Sequence, residues 1–420
     1  MAHVLILTLV FPPDAVSTAQ IVGEMAADLH ALGHQVSVVT TTPHYNHDPD
    51  LIARQPLRPW WGRLVQQSTL GGAVVYHTAM PRKTASIPKR LLAWLIFHVL
   101  SLFVGVLSVR KVDVIVTPSP PLTMGIAAWL LGAWHRAPFL YLVNELYPDI
   151  AIALGAVKNR TAIRLLYALE RFVYRRAALI LPIAGRMQQR LLEKGVPPAK
   201  VALLPNFVDA DALIPVPAPN ALTRELGLDG RFIVSYAGNL GPAQGLETLL
   251  DAAARLRDLE DVVIVLIGAG SMWDTLERRI RDEGHHNVRL VPYLPFARVP
   301  EIYGATTLSL VPLAASTGAD AVPSKVFRIM ACNGAVLAMT DAQSDLAQIV
   351  TEAGCGFVVD PGSPEAIAAA IRRAALHPAA TAAMGAGARQ LVLARYARPV
   401  VMARLSALLE DVLRTRTVTR

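Results

Sequence analysis

Residues 232–256 read FIVSYAGNLGPAQGLETLLDAAARL, an apolar run that passes through a glycine-rich turn into a helical pattern. The opening residues are typical of a buried strand, and the apolar residues after Gly245 recur at helical spacing. The same pattern follows at once in 262–284, VVIVLIGAGSMWDTLERRIRDEG. Apolar strands that alternate with helices predict a parallel sheet covered on both faces.

The first half of the chain shows the same alternation, with strand-like runs at 3–9 (HVLILTL), 35–41 (QVSVVTT), 112–118 (VDVIVTP) and 138–145 (PFLYLVNE). Between the halves, 208–231 is rich in proline and polar residues and is interpreted as a linker. We therefore predict an α/β protein of two doubly wound, Rossmann-like domains, 1–208 and 209–398, that face each other across a cleft. An amphipathic helix, 399–420, is expected to pack back on the first domain.

Composition narrows the function classes. The chain has 420 residues, of which 53% are hydrophobic and 17% charged, and this excludes a disordered protein. A formal charge of +8 fits an anionic membrane surface or an anionic substrate, and basic runs interleaved with aromatic residues, as in nucleic-acid binding, are missing. Cys332 and Cys355 form neither a disulfide framework nor a metal pattern, so we expect reduced thiols in a cytoplasmic protein with no bound metal.

One apolar segment, 91–109 (LLAWLIFHVLSLFVGVLSV), is long enough to cross a bilayer. The strand-like run that follows it must rejoin the same sheet, so a helix lying against the inner face of the plasma membrane is favoured over a span. Flanking cations could pair with anionic head groups: Arg82, Lys83, Lys89, Arg90, Arg110 and Lys111. A helix buried in the core is the alternative.

Glycines at two strand ends suggest close approach of a ligand to the backbone. Gly238 and Gly241 follow the first strand of the second half, and Gly268 ends the next strand. The spacing is not a strict dinucleotide fingerprint, and no Walker lysine motif is present. A nucleotide site and a pair of tight turns with packing glycines both remain possible.

Residues 316–334, STGADAVPSKVFRIMACNG, change from a composition typical of loops to one typical of a helix. Pro323 and Ser324 are typical of a helix start, and Lys325 places a cation where the helix dipole is already positive. A diphosphate would explain two positive features in one place. The alternative is a capped surface helix with a solvated lysine.

In the first half, two strand ends carry polar side chains. Asp14 and Ser17 follow the first strand, and Asn144, Glu145 and Asp149 follow the run at 138–145. A carboxylate after an apolar strand is a candidate for acid–base work or hydroxyl binding. Glu145 could instead only cap the next helix.

Several stretches together resemble the family 4 retaining glycosyltransferases of the GT-B fold, in particular the bacterial transferases of O-antigen, capsule and colanic acid synthesis. The resemblance covers nearly the whole chain and runs through 11–14 (FPPD), 32–46 (LGHQVSVVTTTPHYN), 116–129 (VTPSPPLTMGIAAW), 144–159 (NELYPDIAIALGAVKN), 201–209 (VALLPNFVD), 236–253 (YAGNLGPAQGLETLLDAA), 266–271 (LIGAGS), 322–334 (VPSKVFRIMACNG) and 353–371 (AGCGFVVDPGSPEAIAAAI).

This resemblance implies transfer of a sugar from a UDP- or GDP-linked donor, with retention, without a metal and without a further cofactor. It implies that the second domain binds the donor through Gly238, Asn239, Leu240, Gly241, Gln244, Gly268, Val291, Pro292, Pro323, Ser324, Lys325, Val326 and Arg328. The first domain would bind the acceptor through Pro13, Asp14, Ser17, Asn144 and Tyr147. Catalytic roles fall on Glu145, Lys325 and Asp320.

The sequence departs from the family pattern at three places. Asn239 and Gln244 stand where many members carry Arg and Lys. The paired glutamates of the family fall on Asp320 and Arg328, and an arginine cannot accept the ribose hydroxyls. Pro12-Pro13 replaces the glycine pair after the first strand. Lys325 and Arg328 are therefore expected to supply charge for the diphosphate.

The leading hypothesis is a membrane-associated transferase that adds a sugar to a polyprenyl-diphosphate-linked glycan of a bacterial cell-surface polysaccharide. Two alternatives stay open. One is a UDP-sugar epimerase of the same fold, and the other is an inactive membrane-associated scaffold that has lost its donor site.

Overall fold

The computed structural model describes residues 1–14, 16–44, 49–81, 87–153, 155–313 and 322–418. The chain divides into two compact units, Met1–Asn206 with Val401–Arg420, and Phe207–Val400. Each unit contains one sheet with helices packed on it. The assignment of the acceptor to the first unit and of the donor to the second stays a prediction.

The first unit contains, in chain order, β1 (His3–Leu7), α1 (Ser17–Ala31), β2 (Gln35–Thr41), α2 (Pro49–Arg54), β3 (Arg58–Trp61), β4 (Val65–Leu70), β5 (Ala73–Thr78), α3 (Ile87–Leu107), β6 (Val114–Ser119), α4 (Met124–His135), β7 (Phe139–Val143), α5 (Asp149–Ala153), α6 (Arg160–Arg176), β8 (Leu179–Pro182) and α7 (Gly185–Glu193). Its described residues form an eight-stranded sheet in the order β3-β4-β5-β2-β1-β6-β7-β8. Valine, isoleucine and leucine form most of β1 and the first half of β6, and both strands are buried along their whole length, as central parallel strands require.

One edge of this sheet is an addition to the expected parallel pattern. Strands β3 and β4 pair antiparallel, and β4 pairs antiparallel with β5. Gly71 and Gly72, both at positive φ, make the turn between β4 and β5. The polar residues of β4 mask its alternation, so periodicity alone does not predict this edge.

The second unit contains α8 (Ala221–Leu226), β9 (Phe232–Asn239), α9 (Leu246–Ala254), β10 (Val262–Ala269), α10 (Trp273–Asp282), β11 (Val288–Pro292), α11 (Val299–Ala305), β12 (Leu308–Pro312), α12 (Lys325–Ala331), β13 (Ala335–Met339), α13 (Asp345–Glu352), β14 (Gly356–Val359), α14 (Pro364–Leu376), α15 (Pro378–Arg395) and the start of α16 (Arg398–Val418). The described strands form a six-stranded parallel sheet in the order β11-β10-β9-β12-β13-β14. Its core is apolar and includes Val234, Leu266, Leu310 and Leu337.

The segment 208–231, predicted as a linker, contains a helix and packs as part of the second unit. Asn220 forms a capping box with Thr223 at the start of α8. Its side-chain amide also donates to the carbonyl of Glu301, and Leu222 is buried. The proline-rich composition concealed this short helix, because its six residues show too little periodicity.

Helix α3 has one buried and one exposed side. Ala93, Phe97 and Val104 are buried, whereas Leu95 and Phe103 are 60% and 57% exposed. The alternative of a helix buried in the core is therefore wrong. None of the helices in the described part of the chain combines the length and the hydropathy that a bilayer span needs.

Helix α16 begins in the second unit and belongs from Val401 onward to the first. Its apolar residues Val401, Met402, Leu405 and Leu409 are buried. It thus supplies part of the core of a unit whose other residues all precede position 207.

Candidate functional site

Each sheet has one place where the strand order reverses, and ligands of open parallel sheets bind beyond the carboxyl ends of the strands there. In the second unit the chain runs from β9 outward through β10 to β11, and it then returns to the other side of β9 with β12. In the first unit the reversal lies between β1 and β6. The loops after these strands are therefore the expected places for ligand-binding side chains.

Three neighbouring strands of the second unit end side by side at Gly238, Gly268 and Pro292. A Cβ atom at Gly268 would lie 1.9 Å from the carbonyl oxygen of Gly238. The packing of one backbone against the other therefore requires glycine at Gly268, with or without a ligand. The strand-end glycines thus support a ligand site mainly through Gly238.

Gly238 lies against the amine of Lys325. A Cβ atom at Gly238 would be 2.7 Å from Lys325 Nζ, and this nitrogen is 4.1 Å from the centroid of the Tyr236 ring. The Tyr236 hydroxyl donates to the carbonyl oxygen of Asn239 at 2.8 Å, which fixes the ring at the end of β9. The structure thus brings a cation from the start of α12 to the end of β9, at the reversal of strand order.

Lys325 forms no ion pair with a carboxylate within the described part of the chain. Burial and, after it, the charge of Arg328 lower the pKa of Lys325 to about 8. The face of an aromatic ring stabilises an ammonium group only in part. An anionic ligand would supply the missing counter-charge.

The helix that begins at Lys325 agrees with the sequence expectation, but it is only seven residues long, and the side chain of Ser324 makes no capping hydrogen bond. The dipole of so short a helix is small, so the charge of Lys325 is the stronger attraction for an anion. Val326 and Leu240 are fully buried. Neither residue therefore exposes an atom, of side chain or backbone, that a ligand could contact in this structure.

The remaining candidates of the second unit divide into three groups. Gln244 Oε1 accepts the backbone N–H of Gly241 at 3.1 Å and so closes the turn after β9, while the Asn239 side chain is exposed. Val291 is buried at the end of β11, next to the exposed Pro292. Pro323 and Arg328 are partly buried on either side of Lys325. Asp320 lies outside the described residues.

In the first unit, the loop after β1 is tied to the loop after β2. Asp14 is buried, and its Oδ2 accepts the backbone N–H of His44 at 3.1 Å. The His44 ring nitrogen Nδ1 lies 2.9 Å from the hydroxyl of Thr41. Asp14 therefore has a positioning role that the sequence did not reveal. Of the other two acceptor candidates in this loop, Pro13 is buried and Ser17 begins α1.

The loop after β7 carries three of the candidate residues of the first unit, Asn144, Glu145 and Tyr147. Asn144 donates from its amide to the carbonyl of Ser119 at 3.0 Å, which joins the loops after β6 and β7. The carboxyl group of Glu145 makes no hydrogen bond or ion pair with any residue that the structure describes, and burial raises its pKa. Tyr147 lies partly buried in the same loop. A partly buried carboxyl at a strand end is suited to acid–base work or to binding a hydroxyl.

Asp149 is, by contrast, held in a network that sequence reasoning missed. Its Oδ2 lies 3.0 Å from the guanidinium of Arg190 and 2.9 Å from Lys194 Nζ, and its Oδ1 accepts from the Tyr167 hydroxyl at 2.9 Å. Lys194 also pairs with the buried Glu170 at 2.6 Å. The network anchors the end of the loop that carries Glu145, and it joins helices too far apart in sequence for a local pattern to indicate it.

Among the described His, Cys, Asp and Glu residues, no three gather as the ligands of a metal ion would. Two features stand out among the residues that the structure describes: the amine of Lys325 has no carboxylate partner there, and the carboxyl group of Glu145 has no hydrogen-bond or ion-pair partner there. A bound anion and a hydroxyl-bearing molecule are the ligands that such groups suit.

The sequence matches two families of known proteins. Residues 18–206 match the family described as "Glycosyl transferase 4-like domain", and residues 221–391 match "Glycosyl transferases group 1". Over 384 residues the chain is 30% identical to WcaI of Escherichia coli (strain K12), described as a colanic acid biosynthesis glycosyl transferase, covering 88% of this chain and 91% of that protein. It is 26% identical to the glycosyltransferase WbjE of Pseudomonas aeruginosa, over 62% of this chain and 65% of that one.

Solved structures show the same fold. The Anabaena protein Alr3699/HepE, crystallised with UDP, matches with a TM-score of 0.73 at 16% identity, over 97% of this chain and all (100%) of that one. Sucrose-phosphate synthase of Thermosynechococcus elongatus matches with a TM-score of 0.72 at 18% identity, over 98% of this chain and 100% of the other. At such identities the likeness concerns the arrangement of the backbone.

Proposed function

Because this chain belongs to the family 4 glycosyltransferases of the GT-B fold, we propose that it transfers a sugar, with retention, from a nucleoside diphosphate sugar to a lipid-linked glycan. The observation that carries the proposal is the amine of Lys325, which lies against Gly238 without a carboxylate partner among the described residues. A diphosphate is the anion that a sugar-nucleotide enzyme would bring to such a place.

The donor would lie along the carboxyl edge of the second sheet. Lys325 would bind the β-phosphate, with Arg328 adding charge, and the nucleobase would contact the backbone near Val291 and Pro292. Asn239 and Gln244, at the end of β9 and in the turn after it, are neutral. They would therefore add no positive charge for the diphosphate. This increases the share of binding energy that we assign to Lys325.

Catalysis would then depend on positioning and on stabilising the charge of the departing diphosphate. The bond between the anomeric carbon of the sugar and the β-phosphate oxygen breaks, and the acceptor hydroxyl oxygen forms a bond to that carbon on the same face. The leaving phosphate takes the proton of that hydroxyl. No residue of the chain is needed as a nucleophile in that scheme. Lys325 would act by neutralising the phosphate as its charge develops, and Asp320 stays a further catalytic candidate on the ground of the sequence alone.

The acceptor is proposed to bind at the carboxyl edge of the first sheet. Glu145 would accept a hydrogen bond from a glycan hydroxyl, with Asn144 and Tyr147 in the same loop and Pro13, Asp14 and Ser17 shaping the neighbouring one. The similarity to a colanic acid enzyme supports a surface polysaccharide as the product class. A polyprenyl-diphosphate-linked acceptor would place the enzyme at the inner face of the membrane, through the segment 91–109.

A panel of UDP- and GDP-sugars, incubated with the protein and a polyprenyl-diphosphate glycan, tests the proposal by mass spectrometry. Transfer or slow hydrolysis of one donor is the expected result. Epimerised UDP-sugar in the absence of acceptor would favour the epimerase instead. If calorimetry detected binding of neither UDP nor GDP, the proposal would fail and a scaffold would remain.

Affinity for the nucleoside diphosphate is expected to depend on pH through Lys325. Its pKa of about 8 in the free protein means that the ammonium is present below pH 8 and is lost as the pH rises above it. Affinity should therefore be constant up to about pH 8 and then fall by up to about tenfold per pH unit, until the higher pKa of the complex is reached.

Calorimetry with UDP and GDP between roughly pH 6.5 and 9.5 measures this dependence. Lys325→Arg is the matched control, because a guanidinium group stays charged throughout that range. The variant should show a flat profile. An equally flat profile of the unaltered protein would contradict the assignment of the phosphate contact to Lys325.

A further inference from the structure

Helix α3 carries a continuous apolar stripe on its outer side. The exposed members follow one another at helical spacing and are Leu92, Leu95, Ile96, Val99, Phe103 and Leu107. The opposite side of the helix is buried against the sheet. Exposed apolar residues are common one at a time, but a stripe along most of one helix marks an interaction surface.

Helix α4 extends this stripe sideways. A Cβ atom at Gly105 of α3 would lie 2.6 Å from the Leu131 side chain of α4, and His135 Nε2 lies 2.9 Å from the carbonyl oxygen of Gly105. The two helices therefore pack closely in one layer. The outer side of α4 exposes Leu130 and, at 66%, Trp134.

The hairpin of β3 and β4 adds a third part near the end of α3. The indole N–H of Trp60 donates to the hydroxyl of Ser108 at 3.3 Å, and Trp60 and Leu64 are both exposed. Tryptophan combines an apolar body with a polar N–H and is enriched where a surface meets the lipid–water interface. We call the exposed apolar residues of α3, α4 and this hairpin the apolar face.

The sequence segments that contain α3, α4 and the β3–β4 hairpin carry charge of one sign. From 51 to 112 the sequence contains no Asp or Glu, and from 114 to 144 there is again none. The first of these segments carries nine cations, against a net charge of +8 for the whole chain. They are Arg54, Arg58, Arg63, Arg82, Lys83, Lys89, Arg90, Arg110 and Lys111. Of these, Arg54, Arg58, Arg63, Arg110 and Lys111 are exposed in the structure, as is Arg136 directly after α4.

We propose that the apolar face, built from α3, α4 and the β3–β4 hairpin, docks the first unit on an anionic lipid surface. Its apolar side chains would enter the head-group region with both helices parallel to the membrane, while the surrounding cations pair with lipid phosphates. Anionic lipid is favoured over a second copy of the chain, because two copies would bring like-charged rims together.

Only the biological role of this docking rests on the proposed function: it would give a lipid-linked acceptor a short path to the first unit. Binding to vesicles needs neither donor nor acceptor. A protein that binds vesicles but transfers no sugar would leave the docking face standing, and an active protein that ignores vesicles would refute only the face.

Flotation of the full chain with vesicles measures docking directly. Vesicles of phosphatidylcholine with roughly one third phosphatidylglycerol should bind the protein, less so at high salt, and phosphatidylcholine alone should bind it more weakly. The double variant Leu95→Glu/Phe103→Glu should lower the partition coefficient by about 100-fold, since two exposed apolar groups become charged.

The matched control is Leu165→Glu/Leu376→Glu, which charges two leucines of α6 and α14 that are 66% and 63% exposed and are not members of the apolar face. It should bind vesicles as the unaltered protein does. Three results would overturn the proposal: no binding of the unaltered protein to anionic vesicles, equal binding of both double variants, or a dimer in ultracentrifugation that Leu95→Glu/Phe103→Glu dissociates while vesicles go unbound.

A second measurement covers the case in which the charged variant does not fold. Brominated lipids should quench tryptophan fluorescence of the unaltered protein, and Trp134→Phe should reduce that quenching while circular dichroism stays unchanged. Unquenched fluorescence in the presence of brominated anionic vesicles would refute the docking face.

Discussion

Replacing Lys325 with alanine is expected to lower affinity for the nucleoside diphosphate and the transfer rate about ten- to hundredfold or more. The substitution removes a charge-assisted hydrogen bond to phosphate, worth about 1.5–3 kcal/mol. The fold should persist, and the free energy of unfolding should fall by less than the binding free energy does. Lys325 has a pKa of about 8 in the folded protein against 10.5 for an ordinary lysine, so the fold disfavours its charged form.

Lys325→Met sharpens this test, because it keeps most of the side-chain volume beside Tyr236 and removes only the charge. We expect it to unfold at the same temperature as the unaltered protein, or above it, while losing nucleotide affinity. Arg278→Ala is the control, since it removes an exposed cation of the same unit. Calorimetry with UDP and GDP measures the result, and unchanged affinity in both Lys325 variants would refute the phosphate contact.

Replacing Gly268 with alanine is expected to destabilise the second unit by about 3 kcal/mol or more. The new Cβ atom would meet the carbonyl oxygen of Gly238 at 1.9 Å, and the sheet holds the backbone of both residues in register. Relief requires β9 and β10 to separate at their ends. Because Gly238 lies beside the amine of Lys325, nucleotide affinity should fall as well.

Urea unfolding followed by circular dichroism measures the loss of stability. Gly387→Ala provides the comparison, because its Cβ atom would find no neighbour closer than 3.5 Å and lies within α15. Alanine there should be neutral or stabilising by up to about 1 kcal/mol. Identical unfolding midpoints for the two variants would show that the strand ends can separate at little cost.

The fold class could be predicted from the sequence because local periodicity records it. Strands such as 262–269 are continuous apolar runs, and the helices between them show apolar residues at helical spacing. The edge formed by β3, β4 and β5 was missed because β4 contains VQQSTL, where polar residues hide the alternation. Helix α8 was missed because a six-residue helix shows less than two full turns of pattern.

The candidate site could be predicted only as far as single loops. Lys325 was identified from its unusual place at a helix start, and Glu145 from its place after an apolar strand. Their surroundings depend on contacts between distant parts of the chain, such as Lys325 with Tyr236. Asp149 illustrates the limit, since its sequence neighbours give no sign that α6 and α7 supply its partners.

The shared helix α16 has a consequence for the order in which the protein folds during synthesis. The first unit contains Met1–Asn206 together with Val401–Arg420, so the 194 residues of Phe207–Val400 are translated before its last core residues exist. At about 5–20 residues per second, the ribosome needs roughly 10–40 s for that stretch. During this interval the surface that later covers Leu405 and Leu409 faces water, and it is a natural place for a chaperone to bind the nascent chain.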